Sequence, residues 1–353
     1  MNYLFGSCLV IEPFLPLIRF IDPGLQNWRV ILRDTLPPYD MYCHRYVGYP
    51  ITKLSDFIKE KPVFNKSDLV LTTMHVEEPP WQKVLDKVAK GLSTWIHIQH
   101  DYMETFLTHR RDVTGMLLLN NPQMVKAPKG IPCMYINPHK YMEEVESHIH
   151  DLDHKSLYKE ITGKELCEAD KEKNVYFNMT YALSDTTYKS LCNNADFLHK
   201  KGYNIFIKNY GMGIPGPILN WKKGKENIYF TYKTNSPTGA MVMHKWCSVT
   251  LGVFSSSLIE GLYYDSLPLG FKDIERTLIT PYSNHFNKYV SWYVMQAFMP
   301  APITCFEQGK SLLEQPEERK KVVKFLKDWW LTDNDSSPKN HINDIVDFVN
   351  GLR

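Results

Sequence analysis

A serine-rich turn in the second half of the chain has the residue types that bind phosphate. The segment Gly252 to Leu262 changes from an apolar strand pattern to a helix pattern at Ser255, Ser256 and Ser257. Exposed N–H groups at a helix start and short hydroxyl side chains both favour an anion, which the helix dipole also attracts. Glu260, one turn into the helix, can accept hydrogen bonds from ribose or sugar hydroxyls. The segment therefore predicts a diphosphate site, with a serine cap and a surface glutamate as the alternative interpretation.

Polar residues also follow three other predicted strands of this half. Thr180, Lys208, Tyr210 and Tyr232 lie at or just beyond the ends of these strands. Ligands of an open parallel sheet gather at the carboxyl ends of its strands, so we expect these side chains near the serine turn. Lys208 would neutralise phosphate, Thr180 would donate a hydrogen bond and Tyr232 would face a nucleotide base. A solvated lysine and simple aromatic packing are the alternative interpretation.

Two pairs of residues in the first half could remove a proton from an attacking hydroxyl group. His100 and Asp101 follow the predicted strand Thr94 to Gln99, and Glu77 and Glu78 follow another strand. A carboxylate or a neutral histidine at a strand end can act as a general base. Asp101 is the first candidate, and the other three are the alternatives to it. A structural His-Asp pair and an acidic cap on the following helix are the non-catalytic interpretations.

Small and basic residues mark two further places in the first half. Gly6 and Ser7 come directly after the first predicted strand, where a glycine allows the backbone to approach a substrate closely. A tight turn would explain this glycine equally well. Arg110 and Arg111 lie about one helix beyond Asp101 and add local positive charge to the same region.

The elements that position these residues form two series in which strands alternate with helices, and this pattern predicts mainly parallel sheets. In the first series we expect strands at Tyr3–Phe5, Arg29–Leu32, Asp68–Thr72, Thr94–Gln99, Met116–Leu119 and Met134–Ile136, with an amphipathic helix from Pro79 or Pro80 to Leu92. In the second series we expect strands at Val175–Phe177, Asn204–Lys208, Ile228–Tyr232 and Val249–Val253, with helices at Asp185–Lys201, Thr238–Trp246, Glu317–Trp330 and His341–Leu352.

The length of 353 residues exceeds what one core usually supports, so two domains and a cleft between them are expected. We place a first Rossmann-like domain at residues 1–140 and a charged helical connection at 141–173. A second Rossmann-like domain, which includes the terminal helices, would occupy 174–353. The predicted fold class is α/β, with two Rossmann-like domains that face each other across a cleft.

Composition narrows the class of protein. Hydrophobic residues make up 43% of the chain and charged residues 23%, as in soluble globular proteins. The formal net charge of +2 gives no global field for a polyanion, so any contact with nucleic acid must be local. The seven cysteines are scattered, which indicates reduced thiols in a cytoplasmic compartment, or the host cytoplasm if the source is a virus. Glu12 and Arg19 interrupt the apolar opening, so we predict no membrane span.

The segment from Gly252 to Leu262, with Pro268 shortly after it, resembles the donor-binding element of GT-B glycosyltransferases. The order of the two α/β series is similar to that family as well. The resemblance implies a glycosyltransferase that moves a hexosyl or pentosyl group from a nucleotide sugar to an acceptor hydroxyl. It implies that the first domain binds the acceptor and the second binds the donor. The donor-binding candidates are then Thr180, Lys208, Tyr210, Tyr232, Ser255, Ser256, Ser257 and Glu260.

The segment Gln99-His100-Asp101, followed by Arg110 and Arg111, resembles bacteriophage enzymes that glucosylate 5-hydroxymethylcytosine in DNA. This resemblance implies a hydroxymethylated base of phage DNA as the acceptor, with the two arginines on its phosphates. Gly6, Ser7, Arg110 and Arg111 are the acceptor-binding candidates.

Other functions remain open at this point. The acceptor could be a surface or capsular polysaccharide, and the chain could instead be a nucleotide-sugar epimerase or a non-catalytic nucleotide-sugar binder. We expect no required cofactor and no metal site, although a divalent cation stays open. A monomer is expected.

Overall fold

The structure is a computed structural model. It describes residues 1–6, 14–33, 48–73, 81–99, 112–119, 127–137, 154–178, 185–208, 214–231, 239–253, 256–271, 278–279, 288–294, 300–331 and 337–353. The chain divides into two compact units. The first unit consists of residues 1–150 and 331–353, and the second consists of residues 151–330. The two sheet-forming series of the sequence thus lie in separate units.

The first unit is built on a parallel sheet. Its elements in chain order are β1 Asn2–Gly6, α1 Leu15–Ile21, β2 Trp28–Leu32, β3 Ile51–Lys53, α2 Leu54–Lys59, β4 Leu69–Thr73, α3 Trp81–Lys90, β5 Thr94–Ile98, β6 Gly115–Leu118 and β7 Cys133–Tyr135. Among the described residues the seven strands are ordered β3-β2-β1-β4-β5-β6-β7, and all of their pairings are parallel. The central strands are buried along their whole length, as expected for a sheet covered on both faces.

Aromatic side chains form one part of the core of this unit. The rings of Tyr3, Phe5, Phe57 and Trp81 pack edge to face, with centroid separations of 5.6 to 5.7 Å. Such contacts stabilise a core beyond the burial of area alone. They attach α2 and α3 to the strand β1.

The second unit contains a second parallel sheet. Its elements are α4 His154–Thr162, α5 Glu168–Lys171, β8 Asn174–Asn178, α6 Asp185–Lys200, β9 Asn204–Lys208, α7 Gly216–Lys222, β10 Ile228–Thr231, α8 Gly239–Trp246, β11 Val249–Val253, α9 Ser256–Tyr263, β12 Leu267–Phe271, β13 Leu278–Ile279, β14 Val290–Val294, β15 Pro300–Thr304, α10 Phe306–Gly309, the 3-10 helix Lys310–Glu314 and α11 Pro316–Trp330. Among the described residues the parallel strands are ordered β10-β9-β8-β11-β12.

A small antiparallel sheet follows the parallel sheet in this unit. Its strand order is β13-β14-β15, with antiparallel pairing throughout. The sequence analysis predicted none of these strands. Prolines at positions 300 and 302 lower the strand signal, and β13 spans only two residues.

The charged composition of residues 141–173 predicted a connection between two domains. Part of this segment also belongs to the core of the second unit. Leu157 and Tyr158 of α4 pack into one core cluster of the second unit, together with Tyr176, Phe206 and Trp246. Tyr158 is 1% exposed. The helix α4 has few apolar residues, and the charged residues between them made its buried face hard to recognise in the sequence.

The last helix, α12 Pro338–Gly351, belongs to the first unit, whereas the sequence analysis assigned it to the second domain. The backbone N–H of Asn137 donates to Nε2 of His341 at 2.9 Å, and Thr94 Oγ1 donates to the carbonyl oxygen of Leu352 at 3.5 Å. A Cβ atom on Gly115 would collide with the Leu352 side chain, so this glycine gives α12 its place beside β6. The period of an amphipathic helix predicts a buried face but not the partner that covers it.

The start of α12 also differs from the predicted His341. Ser337 caps the helix by accepting a hydrogen bond from the N–H of Asn340, and Pro338 occupies the first turn. This serine-proline start is a standard signal of a helix N-terminus. It places the helix start three residues earlier than the apolar period did.

Candidate functional site

The carboxyl ends of the parallel strands in the second unit carry polar residues on one edge of the sheet. Gly252 of β11 is in register with Asn178 of β8, and Lys208 of β9 is in register with Thr231 of β10. Asn178 is 4% exposed, Lys208 3% and Thr231 0%. Burial of an ammonium group is costly unless oxygen atoms or an anion accompany it. The edge therefore combines a buried cation with short polar side chains, and a cation at this place favours an anionic ligand.

Gly252 allows the strands β11 and β8 to approach closely at this edge. A Cβ atom on Gly252 would lie 3.2 Å from Cβ of Asn178 and 3.3 Å from its carbonyl oxygen. A Cβ atom at this position would require Asn178 to shift by a few tenths of an ångström. The strand β11 ends one residue later, at Val253, and α9 begins at Ser256.

The helix α9 begins at Ser256, as the serine-rich turn predicted. Ser257 is 6% exposed, and its hydroxyl oxygen lies 3.3 Å from Nε2 of His244. Glu260, one turn further, has a carboxylate oxygen 3.9 Å from the same nitrogen, and its side chain is 24% exposed. The hydroxyl of Ser257 thus faces the interior, whereas part of the Glu260 side chain reaches the surface.

His244 is the residue around which this region is organised, and the sequence analysis did not single it out. Its ring is fully buried, and Nδ1 lies 3.1 Å from Oγ1 of Thr250. The same Thr250 oxygen lies 2.9 Å from Oγ of Ser266. A chain of polar groups consequently runs from Ser266 through Thr250 and His244 to Ser257.

Gly261 makes this arrangement possible. A Cβ atom at this position would lie 2.7 Å from Oγ1 of Thr250 and 3.1 Å from Nδ1 of His244. The helix α9 can therefore rest directly on the Thr250 and His244 side chains only because residue 261 has no side chain. The glycine in the helix pattern was the one sequence signal for this contact, because a glycine inside a helix usually has a packing reason.

A second signal lies between β9 and α7. Gly211, Gly213 and Gly216 have the Gly-x-Gly-x-x-Gly spacing, which ends at the first residue of α7, and the sequence analysis overlooked it. The first two of these glycines lie outside the described residues. In dinucleotide-binding folds an acidic residue near the end of the next strand accompanies this pattern, and β10 ends in Thr231 followed by Tyr232 and Lys233. The loop therefore departs from the dinucleotide fingerprint.

In the first unit, one buried polar group leads up to the predicted base. Gln99 is fully buried, and its Oε1 accepts a hydrogen bond from the N–H of Leu119 at 2.9 Å. His97, two residues earlier, has Nδ1 3.2 Å from Oγ1 of Thr72 and is 2% exposed. These contacts fix the end of β5, and the chain continues from there into His100.

The structure describes five of the predicted site residues. Gly6 is buried at the end of β1, where its carbonyl oxygen accepts from the N–H of Arg33 at 3.1 Å. Lys208, Ser256, Ser257 and Glu260 all lie at the carboxyl edge of the sheet in the second unit. The others lie outside the described residues: Ser7, Glu77, Glu78, His100, Asp101, Arg110, Arg111, Thr180, Tyr210, Tyr232 and Ser255.

Within the described ranges, no group of three or more His, Cys, Asp and Glu side chains could hold a metal ion. The chain has two Asp-x-Asp triplets, the pattern that often binds a divalent ion on a diphosphate, and both lie outside those ranges. They start at Asp151 and Asp333. None of the described helices is both long enough and apolar enough to cross a bilayer.

No family model matches the sequence, and no curated protein matches it either. Solved structures do match over nearly the whole chain. The wall teichoic acid polymerase TagF is 12% identical, with a TM-score of 0.58, over 99% of this chain and 88% of that protein. The UDP-GlcNAc 2-epimerase from Neisseria meningitidis, bound to UDP-GlcNAc, is 11% identical, with a TM-score of 0.59, over 99% of this chain and all 100% of that protein.

A third similar structure is a Phytolacca americana protein complexed with UDP-2-fluoro-glucose and pterostilbene. It is 8% identical, with a TM-score of 0.51, over 98% of both chains. At such identities the likeness concerns the fold. The chain has the GT-B fold, an α/β fold with two Rossmann-like domains, and the predicted fold class is confirmed.

Proposed function

We propose that the protein is a glycosyltransferase that moves a sugar from a nucleotide-sugar donor to an acceptor hydroxyl, with the donor in the second unit. One observation carries this proposal. The buried Lys208 and the start of α9 lie at the carboxyl edge of the same parallel sheet, on strands separated by only one other strand. Two strand spacings are about 10 Å, a distance that a nucleoside diphosphate can bridge.

The similar structures support a nucleotide-activated donor. Their names mention UDP-GlcNAc in one case and UDP-2-fluoro-glucose in another. Both of these are nucleotide sugars, and each structure covers 98% or more of this chain. Donor binding is thus the part of the proposal that the fold favours most.

In this proposal the backbone at the start of α9 and the ammonium group of Lys208 neutralise the diphosphate. Glu260 accepts hydrogen bonds from hydroxyl groups of the ribose or the sugar. Four further donor contacts are proposed from their places in the sequence. Three come shortly after the strands β8, β9 and β10, and one comes directly before α9: Thr180, Tyr210, Tyr232 and Ser255.

The acceptor half of the proposal rests on the sequence. Asp101 would take the proton of the attacking hydroxyl, with His100, Glu77 and Glu78 as the alternatives. Gly6, Ser7, Arg110 and Arg111 would contact the acceptor.

Two acceptors are compatible with these residues. A hydroxymethylated base of phage DNA is favoured by Gln99-His100-Asp101 together with Arg110 and Arg111. A surface polymer is favoured by the likeness to TagF, whose name makes it a wall teichoic acid polymerase. The second function class, an epimerase, is favoured by the match with the Neisseria meningitidis enzyme. That match covers 99% of this chain and 100% of the other.

One set of reactions tests the proposal. The protein is incubated with a mixture of nucleotide sugars and either hydroxymethylcytosine DNA or cell-surface glycans, with and without a chelator of divalent ions. Mass spectrometry of the digested acceptors should show a mass gain of one sugar for one acceptor class. Proton NMR of each donor alone should show no change of the sugar, because an epimerase would alter it without any acceptor. A changed sugar, or no transfer to either acceptor, would contradict the proposal.

A further inference from the structure

The imidazole ring of His244 occupies a closed polar position beneath the first turn of α9. Its ring plane lies almost parallel to that of Tyr264, with centroids 6.2 Å apart, and it packs edge to face with Tyr176 at a centroid separation of 4.9 Å. The ring is 0% exposed. A buried imidazole is costly unless both nitrogens find partners, so its partners define its role.

The partners of the two nitrogens select one arrangement of protons. The Glu260 oxygen, 3.9 Å from Nε2, is too distant for a hydrogen bond, but the negative charge of a carboxylate there favours a proton on that nitrogen. The proton then points to the oxygen atoms of Ser257 and Glu260. Nδ1 is left as the acceptor, and the hydroxyl of Thr250 at 3.1 Å donates to it. The oxygen of Thr250 can in turn accept from the hydroxyl of Ser266 at 2.9 Å.

All the hydrogen bonds of this chain consequently point in one direction, from the core toward α9. Ser266 donates to Thr250, Thr250 donates to His244, and His244 donates to the first turn of α9. Hydrogen bonds in such a chain polarise one another, particularly where the surroundings are apolar. These hydrogen bonds end at Ser257 and beside Glu260, the two side chains that we propose to lie beside the donor.

We propose that His244 is a positioning residue of the donor site. It holds the Ser257 hydroxyl through Nε2, with the Glu260 carboxylate 3.9 Å from the same nitrogen, and it thereby fixes the start of α9 on which the diphosphate rests. This inference rests on the proposed function, because it needs a nucleotide donor at α9. A purely structural histidine would contribute to the stability of the second unit and would not affect donor affinity in particular.

Two substitutions of one residue separate these roles. The amide of an asparagine reaches the position of Nδ1, so His244→Asn keeps a group beside Thr250 and loses the contacts of Nε2. The longer glutamine reaches the position of Nε2, so His244→Gln keeps a donor beside Ser257 and Glu260 and loses the contact with Thr250. Both variants lose the same aromatic packing against Tyr176 and Tyr264, and each is therefore the control for the other.

The measurement is calorimetric titration with UDP, CDP, GDP and ADP, together with the thermal midpoint of each variant. We expect both variants to show similar midpoints. For the nucleotide that binds, His244→Asn should weaken affinity roughly two- to ten-fold relative to His244→Gln, which is the ratio expected for one lost hydrogen bond. Equal affinities of the two variants would overturn the positioning role.

A second matched pair covers the case in which the histidine variants do not fold. Ser257→Ala and Ser266→Ala remove one hydroxyl from the two opposite ends of the same chain. Ser257→Ala should weaken nucleotide affinity more than Ser266→Ala, because the Ser266 hydroxyl acts on α9 only through Thr250 and His244. Equal effects of both would again overturn the inference. If the unsubstituted protein binds none of the four nucleotides, the proposed function itself fails, and this inference fails with it.

Discussion

Gly261 lies so close to Thr250 that a Cβ atom on the glycine would stand 2.7 Å from the threonine Oγ1. The same atom would stand 3.1 Å from Nδ1 of His244. The position of the helix α9 therefore depends on the positions of the Thr250 and His244 side chains beneath it. A change on either side of this contact must affect the other side.

Gly261→Ala should lower both the stability of the second unit and its affinity for a nucleotide donor. Overpacking of a tight contact costs about 1–3 kcal/mol, and the displaced helix would move Ser257 and Glu260 as well. Gly216→Ala is the matched control, because a Cβ atom at Gly216 meets nothing within 4 Å. Thermal denaturation and calorimetry measure the two effects. If both alanine variants behave alike, the contact at Gly261 does not constrain α9.

The C-terminal helix α12 should stabilise the sheet of the first unit. Ile345 is fully buried, and its replacement by alanine should cost about 2–5 kcal/mol. Asn343→Ala changes an exposed position of the same helix and should stay within about 0.5 kcal/mol. Hydrogen exchange should show loss of protection in β5 and β6 for Ile345→Ala. Loss confined to the strands β8 and β11 would instead place the helix with the second unit.

Cys192 should make the protein less stable at alkaline pH. Burial raises the pKa of its thiol to about 11, whereas the thiol of the unfolded chain ionises near about 8.5. Between these values the folded state holds a proton that the unfolded state has lost, so stability falls as pH rises through this window.

The comparison of thermal midpoints from pH 7 to pH 11 checks this expectation. Cys192→Ala should show a shallower alkaline decline than the unsubstituted protein, even if its midpoint at neutral pH is lower. Cys167→Ala removes an exposed thiol and should retain the original slope. Parallel curves for all three proteins would rule out a contribution of Cys192.

If the acceptor is DNA, Arg110 and Arg111 should contact its phosphates. Counterion release makes the logarithm of the affinity fall by about 0.9 for each phosphate neutralised, per logarithmic unit of salt. The double change to alanine should therefore flatten the salt dependence by about two units. Fluorescence anisotropy with a short hydroxymethylcytosine duplex across a salt series measures it. Identical slopes, or no binding at all, would leave the surface polymer as the acceptor to pursue.

Much of the fold could be predicted from the sequence because strand and helix patterns depend on residues that are neighbours in the chain. The strand at Asn204–Lys208 and the one at Val249–Val253 were predicted with their observed bounds, and the serine turn marked the start of α9. The helix predicted to reach Leu92 ends at Lys90, because Leu92 adopts a positive φ of 55° in the turn that follows. Local patterns thus place elements to within a few residues.

Contacts between distant residues could not be predicted in the same way. His244 looked like any residue of a short apolar helix, and only the fold brings it beneath Ser257, which lies 13 residues later. The partner of α12 is similarly separated from it, since Asn137 and His341 are 204 residues apart. Residue types such as serine and lysine marked the edge of the sheet, whereas the groups that hold them in place had no sequence pattern.

The central claim is that the start of α9 binds the diphosphate of a nucleotide donor, and Ser256→Asp tests it most directly. A carboxylate in the first turn of a helix is favourable for the helix dipole, so the variant should fold with an unchanged or slightly higher thermal midpoint. The same negative charge would repel a diphosphate, whereas Ser256→Asn has nearly the same shape without the charge. We predict by calorimetry that at least one of UDP, CDP, GDP and ADP binds to the unsubstituted protein and to Ser256→Asn, and that Ser256→Asp has lost this binding. Equal affinity of the aspartate and asparagine variants would contradict the account and remove α9 from the donor site.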